Sequence, residues 1–413
     1  MIDVNSFIST LEKTETGYSK ELEETDAWLK PLIGRVPITR ISNVAPLDIL
    51  GLPCWSAVTP LAKDLTTHAG KGLSALAARI SAIMEAIERV SAEQVPESSE
   101  GCLASYADLR QSASIAVVDP TDCGLPFRTA YSENRKYSWI KGFDLIQSEP
   151  IWTPIDLAIS PALEGMRFGP NTNGLASGNC ITEAVLHAAC EIIERDAIAQ
   201  NEFWSAFAEE SDDLPDCPRP IDPTTLPADV FELVRRITHP STGLSVVIYQ
   251  LVSETQMPVY ASMIIDPNYP TSDGLVEINC GGWGCSIDAR RAVVRSITEA
   301  AQCRAITIQG ARDSSEGGQV ITRRWSLCCQ LALRRPKRHT TFDVGGVHRS
   351  GDLLVDLTTV CSLLASAGFP RLIVVDLTRG DLQVPVVRVI IPGMATPQRY
   401  GLRPSWRQLE KLL

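Results

Sequence analysis

No run of 18 apolar residues occurs anywhere in the 413-residue chain, so no transmembrane helix is predicted. The N-terminal stretch MIDVNSFISTLEKTETGYSKELEETDAWLK lacks the basic start and apolar middle of a secretory signal, and a cytoplasmic location is expected. Positive charge is scarce: 38 Lys and Arg against 49 Asp and Glu leave a formal net charge of −11. Phosphate-backbone binding runs on a basic footprint. Nucleic acid is therefore excluded as the main partner, whereas a nucleotide bridged to acidic residues by metal ions is not. Twelve Cys are present without a single C-x-x-C, and the five His form no ligand pattern. Cys280 and Cys285 are five apart, and Cys328 and Cys329 are adjacent. Reduced, mostly buried thiols are expected rather than zinc sites or disulfides. G-x-x-x-x-G-K-[ST] is absent, which excludes a P-loop. No Ser–His–Asp or Cys–His constellation stands out, and Ser314 and Ser315 sit in a polar loop with no paired His.

What is present is an ordinary globular composition, 44% hydrophobic and 21% charged, with helices and strands in alternation. Apolar periodicity predicts helices over 1–31, 72–94, 180–208, 228–238, 287–309 and 352–367. Strand patterns lie in 32–62 and in SIAVVDP, KYSWIKGFDL, EPIWTPIDLA, LSVVIYQLVS, MPVYASMIID, RLIVVDLT and VPVVRVIIPGM. The fold class is therefore α/β or mixed α+β. The stretch EESDDLPDCPRPIDPTTLP marks a loop or subdomain break near 208–227. The expected organisation is a helical extension over 1–33, a main domain over 34–395 and a C-terminal tail over 396–413.

The informative feature is an internal repeat. Three times a glycine-rich turn feeds an alanine-rich helix: GKGLSALAARISAIMEAIERVSAE, NGLASGNCITEAVLHAACEIIERDA and NCGGWGCSIDARRAVVRSITEAAQCRA. The aligned Glu85, Glu191 and Glu299 lie 106 and 108 residues apart, each followed three positions later by Glu88, Glu194 and Gln302. Residues at i, i+4 and i+7 share a helix face. That aligns Ser81, Glu85 and Glu88 on the first helix. It aligns Glu183, His187, Glu191 and Glu194 on the second, and Arg295, Glu299 and Gln302 on the third. The other faces are almost wholly Ala, Ile, Val, Met and Cys, as in buried helices. A carboxylate stripe on such a helix is costly without partners. One such helix taken alone reads more readily as a solvated face, with Glu85–Arg89 and Glu191–Arg195 worth only about 0.2–0.5 kcal/mol each as i, i+4 pairs. Three copies point instead to facing stripes that hold divalent cations, and Mg²⁺ favours a few carboxylates plus substrate phosphates. Gly70, Gly72, Gly174, Gly178, Gly281, Gly282 and Gly284 precede the helices, where backbone amides favour phosphate oxygens. Lys71 offers a point charge to a phosphate. Trp283, between two glycines, offers either a stacking face for adenine or a packing contact.

These blocks carry a resemblance. GKGLSALAARISAIMEAIER, GNCITEAVLHAACEIIERDA and RSITEAAQCR are similar to the S-x3-E-x2-E-R, G-N-x3-E-x7-E-x2-E-R and R-x3-E-x2-Q-x-R patterns of the YcaO family, and the likeness runs from about residue 34 to about 395. The resemblance implies a fold in which the three helices surround Mg²⁺-ATP, and an enzyme that activates a peptide-backbone amide. A nucleophile adds to the amide carbonyl, and ATP phosphorylates the resulting oxyanion so that it leaves as phosphate. Carried over by motif, Ser81, Glu85, Glu88, Asn179, Glu183, Glu191 and Glu194 contact nucleotide and metal. The metal ligands among them are Glu85, Glu88, Glu183, Glu191 and Glu194. Arg295, Glu299 and Arg304 complete the pocket, and Arg40 in the PITRI segment is a weaker candidate for a phosphate contact.

The chain ends PGMATPQRYGLRPSWRQLEKLL, without the P-x-P-x-P tail of many azoline-forming members. ITRISNVAPLDILGLPCWSAVTP and VPVVRVIIPGM look similar instead to the TfuA-associated branch. That resemblance implies thioamide formation, with a separate TfuA-like protein delivering sulfide. Two alternatives stand beside it: an azoline-forming cyclodehydratase acting on Cys, Ser or Thr of a precursor peptide, and a non-catalytic protein that only presents a peptide. No fused recognition domain is evident, so a leader-recognition partner in trans is expected. The stretch RRWSLCCQLALRRPKRH, ending at His339, is a candidate surface for an acidic leader peptide. The acidic N-terminal helix is a candidate homodimer surface. No group is singled out as the catalytic residue.

Overall fold

A computed structural model of the protein describes residues 12–95, 99–112, 114–167, 171–207, 218–266, 279–311, 331, 339–343, 350–397 and 405–410. The fold is mixed α/β, built on three sheets. Helix α1 (Leu22–Leu29) precedes an antiparallel sheet of β1 (Arg40–Asn43), β2 (Cys54–Val58) and β3 (Thr67–Lys71), across which α2 (Ala75–Ser91) packs. Next come β4 (Gly101–Ser105), α3 (Tyr106–Ser112), β5 (Ala116–Val117), β6 (Lys136–Asp144), β7 (Glu149–Pro154), α4 (Ile155–Ala158), β8 (Leu175–Ser177) and α5 (Ile181–Phe207). A second sheet has the order β12-β11-β10-β9, from β9 (Arg219–Pro220), β10 (Ser245–Gln250), β11 (Val259–Ile265) and β12 (Asn279–Cys285). Helices α6 (Ala228–Ile237) and α7 (Ala289–Gln309) accompany it, α7 lying along β12 and β11. The last elements are α8 (Leu353–Ser366), β13 (Ile373–Asp376), β14 (Val386–Ile390) and α9 (Trp406–Glu410). β13 and β14 complete a seven-stranded sheet, β5-β7-β6-β13-β14-β8 with β4 on β6, against which α5 packs.

The helix boundaries follow local chemistry. Ser74 caps α2 by accepting from the Ala77 N–H, and Asp288 caps α7 by accepting from the amides of Arg290 and Arg291. Gly310 ends α7 in the left-handed region at φ 68°. The largest core cluster joins the buried face of α5 (Ala184, Ala188, Ile192) to α8 (Val360, Leu364), β11, β12 and β14. Trp283 sits in that cluster, so its role is packing.

Three expectations are revised. The glycine-rich segments ahead of the first and third helices are strands, not turns: Gly70 lies in β3, and Gly281, Gly282 and Gly284 lie in β12. A Cβ built on Gly70 would sit 2.1 Å from the Ala78 carbonyl oxygen, and one on Gly282 2.1 Å from the Ala300 nitrogen. These glycines let a helix lie directly on its preceding strand, the close backbone approach that glycine in a strand often marks. The N-terminal helix is shorter than predicted. A turn at Gly17 (φ 81°) precedes it, and only Leu22–Leu29 is helical among the described residues there. Nor is it an exposed extension: Leu29 and Leu32 are buried with Ile80, Ile83 and Ile87 of α2, which removes the apolar side of α1 from any dimer surface. Residues 208–217 of the expected break lie outside the described residues, as do Ser314, Ser315, Cys328, Cys329 and most of the basic stretch. The cysteines that are described are free thiols. No described helix is long and apolar enough to cross a membrane.

Candidate nucleotide and metal site

The three helices each follow a strand of a different sheet, and their polar faces meet. On α2, Ser81, Glu85 and Glu88 are half-buried. Glu85 accepts from the Ala69 N–H at 3.0 Å, which ties α2 to β3. Glu88 accepts from the Ser177 N–H at 3.1 Å, which ties α2 to β8. On α5, Glu191 lies 3.8 Å from Arg195, one turn along. On α7, Glu299 forms an ion pair with Lys71 of β3, and the Arg295 guanidinium donates to Nε2 of His187 at 3.1 Å.

The charges act on one another across the helices. Burial raises Glu88 well above the ordinary carboxylate range, and the negative charges of Glu191 and Glu85 add to it. Burial also raises Glu191, against the pull of Arg195 and Arg89. Glu194 is pushed up to about 7, by burial first and the Glu299 charge second. Glu299 goes the other way: burial raises it, but Lys71, Arg195 and Arg295 together outweigh burial. His187 is held neutral by burial and then by Arg295, Lys71 and Arg291, although its surface is exposed to solvent. A neutral His187 accepting at Nε2 carries its proton on Nδ1.

Two carboxylate couples, Glu88 with Glu191 and Glu194 with Glu299, are thus held together, Glu194 buried and the other three half-buried. A divalent cation relieves such repulsion, and carboxylate oxygens are the hard donors Mg²⁺ takes. Among the described residues no group of three His, Cys, Asp or Glu side chains is placed to hold a metal by itself. That suits Mg²⁺, which binds through one or two carboxylates plus phosphate oxygens rather than in an all-protein cage. The donor set therefore fits the ion. Lys71, Arg195 and Arg295 place positive charge beside these carboxylates.

Several expected residues sit differently. Glu183 is already taken up: Ser19 donates to it from N–H and Oγ, both at 3.0 Å, and Asn179 from N–H at 3.1 Å and Nδ2 at 3.0 Å. Arg304 does not turn to the carboxylate stripes. It is buried in ion pairs with Asp48 (3.0 Å) and Asp266 (2.9 Å), which fasten α7 to the segment before β2 and to the residue after β11. Arg40 is the exposed first residue of β1. Sequence reasoning passed over Ser19, Ser177 and Arg388. Arg388, on β14, is fully buried and donates to the carbonyls of Ala158, Asn173 and Asn171 at 2.8–2.9 Å. Burial first and the nearby Arg167 charge second lower it to about 9, against Glu191 and Glu88. A lone arginine in the apolar run VPVVRVIIPGM was the available signal, since a charge in a buried strand must be satisfied.

Comparisons with known proteins agree with this architecture. A Methanothermobacter thermautotrophicus protein described as uncharacterised is 31% identical over 385 residues, 90% of this chain and 94% of its own length. A Rhizobium leguminosarum bv. trifolii protein, described as lying in the tfuA 3′ region, is 29% identical over 422 residues, 95% of this chain and 93% of its own. The solved structure of YcaO from Methanopyrus kandleri bound with AMPPCP and Mg²⁺ superposes with a TM-score of 0.70 at 24% identity, covering 94% of each chain. A heterocyclase solved with substrate and cofactor gives a TM-score of 0.74 at 19% identity over 96% of this chain, which spans only 55% of that protein. At those identities the two structures speak for the fold. The YcaO family model, described as an ATP- and Mg²⁺-binding cyclodehydratase, matches residues 69–395, and with three sheets, three charged helices and a donor set suited to Mg²⁺ already in view, the chain belongs to the YcaO family.

Proposed function

We propose that hydrosulfide delivered by a TfuA-like partner adds to a peptide-backbone amide carbonyl, and that this chain uses Mg²⁺-ATP to phosphorylate the resulting oxyanion, which leaves as phosphate to give a thioamide in a ribosomally made peptide or protein. The observation that carries the phosphorylation reading is that Glu85, Glu88, Glu191 and Glu194 from two helices lie close enough to act on one another's charge and on that of Lys71, Arg195 and Arg295. The relative from a tfuA 3′ region supports the sulfur branch. Bound together, the two ligands supply a phosphoryl group and the charge neutralisation that makes an amide oxygen a leaving group. The chain's own part is positioning. Glu85, Glu88, Glu191 and Glu194 supply the carboxylates, one or two to each metal ion, with phosphate oxygens completing its coordination. Lys71, kept in place by Glu299, and Arg295, braced on His187, face phosphate oxygens, with Ser81 and the Asn179–Glu183 pair beside them. Arg40 and Arg304 are not needed for this reading.

The experiment is intact-mass analysis of candidate peptides incubated with the protein, ATP, Mg²⁺, a TfuA-like protein and a sulfide source. Exchange of oxygen for sulfur, dependent on sulfide, supports the thioamide. Loss of water without any sulfide requirement supports the second reading, an azoline-forming cyclodehydratase, which the family description favours. An unmodified peptide with no ATP consumed would leave the peptide-presenting role.

Affinity for the metal also carries a pH signature. A carboxylate must be ionised to bind a cation, so binding releases whatever proton it carries. Glu194, raised to about 7, is largely protonated at pH 6 and ionised at pH 8. Mg²⁺-nucleotide affinity is expected to rise by up to about tenfold per pH unit below 7 and to flatten above it. Titration calorimetry in buffers of different ionisation heat reads the released proton directly. A flat profile with no proton release would remove Glu194 from the metal site.

A further inference from the structure

Residues 12–29 lie ahead of the family match at 69–395, yet they reach into the site. The Ser19 N–H and Oγ both donate to Oε2 of Glu183 at 3.0 Å, and Thr25 Oγ1 donates to Oδ1 of Asn179 at 2.8 Å. Asn179 in turn holds Oε1 of Glu183 from N–H and Nδ2. A carboxylate has about four lone-pair sites. Four donor groups therefore fill Glu183, two of them from a single serine. The segment is fastened on both sides of that contact. Lys13 pairs with the buried Asp356 of α8 and donates to the Ser350 carbonyl at 3.0 Å. Arg291 of α7 donates to the Gly17 carbonyl at 3.1 Å and lies 4.6 Å from the Tyr18 ring. Asp26 pairs with Arg79 of α2. The segment thus touches α2, α5, α7 and α8 together.

We propose that residues 12–29 form a strap that sets the geometry of the site, with Ser19 and Thr25 as positioning residues acting through Glu183 and Asn179. Ser19 holds Oε2 of Glu183 at the start of α5, a second anchor beside the one that Asn179 gives to Oε1. Thr25 fixes which face Asn179 presents. Their effect on the ligand comes through the carboxylate and the amide they hold, not through contact with it. Glu183 stays directed, while the metal itself falls to the carboxylates further along α5 and on α2. The proposal rests on the nucleotide-site reading above and adds to it a segment that the family motifs do not contain.

The test is titration calorimetry of the full chain with Mg²⁺ and a non-hydrolysable ATP analogue, alongside thermal unfolding of the same samples. Ser19→Ala is expected to weaken binding about tenfold, the lower end for a residue that orients a ligand-binding side chain. Ser19→Thr, which restores the hydroxyl, is expected to recover most of the loss, and Thr16→Ala, at an exposed strap position, to bind as the wild type does. Melting temperatures should stay together across the set. Thr25→Val provides the same reading if Ser19→Ala fails to fold. Wild-type affinity in both Ser19→Ala and Thr25→Val overturns the strap while leaving the nucleotide site intact. A wild type that itself binds no nucleotide overturns the site reading, and the strap's role falls with it.

Discussion

Replacing Glu191 with alanine is expected to abolish Mg²⁺-dependent nucleotide binding while leaving the fold intact or slightly more stable. Glu191 stands midway along α5, where its charge raises Glu88 on α2 and itself feels Glu299 on α7. It is thus the carboxylate through which all three helices are electrostatically joined. Changing a residue that merely orients a metal ligand typically costs about 10–100-fold in affinity, so loss of the ligand itself should cost at least about 100-fold. The effect on stability has the opposite sign. Without a metal, Glu191 and Glu88 are like charges kept in partial burial, and removing one lets the other ionise at lower cost. Arg195 retains Glu194 and Glu299 as neighbouring charges. Calorimetry and thermal melts on the same protein separate the two effects. Lost binding with an unchanged or raised melting temperature is the expected pair. Unchanged affinity would mean that the stripe on α5 is structural.

Gly282→Ala is expected to cost about 3 kcal/mol or more of stability, at the severe end for added bulk in a packed interior. The new Cβ would lie 2.1 Å from the Ala300 nitrogen, 2.2 Å from the Ser296 carbonyl oxygen and 2.7 Å from the Glu299 carbonyl carbon. All three are backbone atoms of α7, so no side chain can rotate aside. The helix must rise from β12, and Arg295 and Glu299 must move with it. Nucleotide affinity should therefore fall together with stability, unlike the Glu191→Ala case. Gly380→Ala provides the contrast, since a Cβ there meets nothing within 4 Å and should change stability by less than about 0.5 kcal/mol. Denaturant unfolding of both variants decides the matter. If Gly282→Ala proves as mild as Gly380→Ala, α7 does not lie on its strand as tightly as described.

The helices were legible in the sequence because their period is local. The stretches expected over 72–94, 180–208, 228–238, 287–309 and 352–367 are observed as Ala75–Ser91, Ile181–Phe207, Ala228–Ile237, Ala289–Gln309 and Leu353–Ser366. The stripes on them were legible for the same reason. Hidden from that reading was everything decided by contact between distant segments. A glycine cluster announces an unusual backbone need, but a tight turn and a helix pressed on a strand use the same residue. Only the register of β12 with β11, Gly282 opposite Ser262, shows that the cluster is strand. Arg304 completes a motif in the chain, yet its guanidinium is spent on Asp48, 256 residues away, and on Asp266. Ser19 carries no signal at all: a serine in a polar stretch is unremarked until its partner 164 residues later is known.

Helix α5 is held from both directions along the chain. Ser19 grips Glu183 at its start, and Arg407 pairs with the buried Asp196 further along, at 2.8 Å. Arg407 also pairs with Glu254 at 2.6 Å, and the Ala395 N–H donates to Asp196 at 2.7 Å. During synthesis the first grip can form once Glu183 has left the ribosome, but the second must wait for nearly all of the remaining chain. Between those moments α5 has the Ser19 grip and not yet the Arg407 one. Once Gln302 has emerged, a nascent chain carries every residue of the carboxylate stripes and still lacks the Arg407 grip. Competence to bind nucleotide should therefore appear late in translation, after residue 407 emerges, rather than growing in proportion to the length already made.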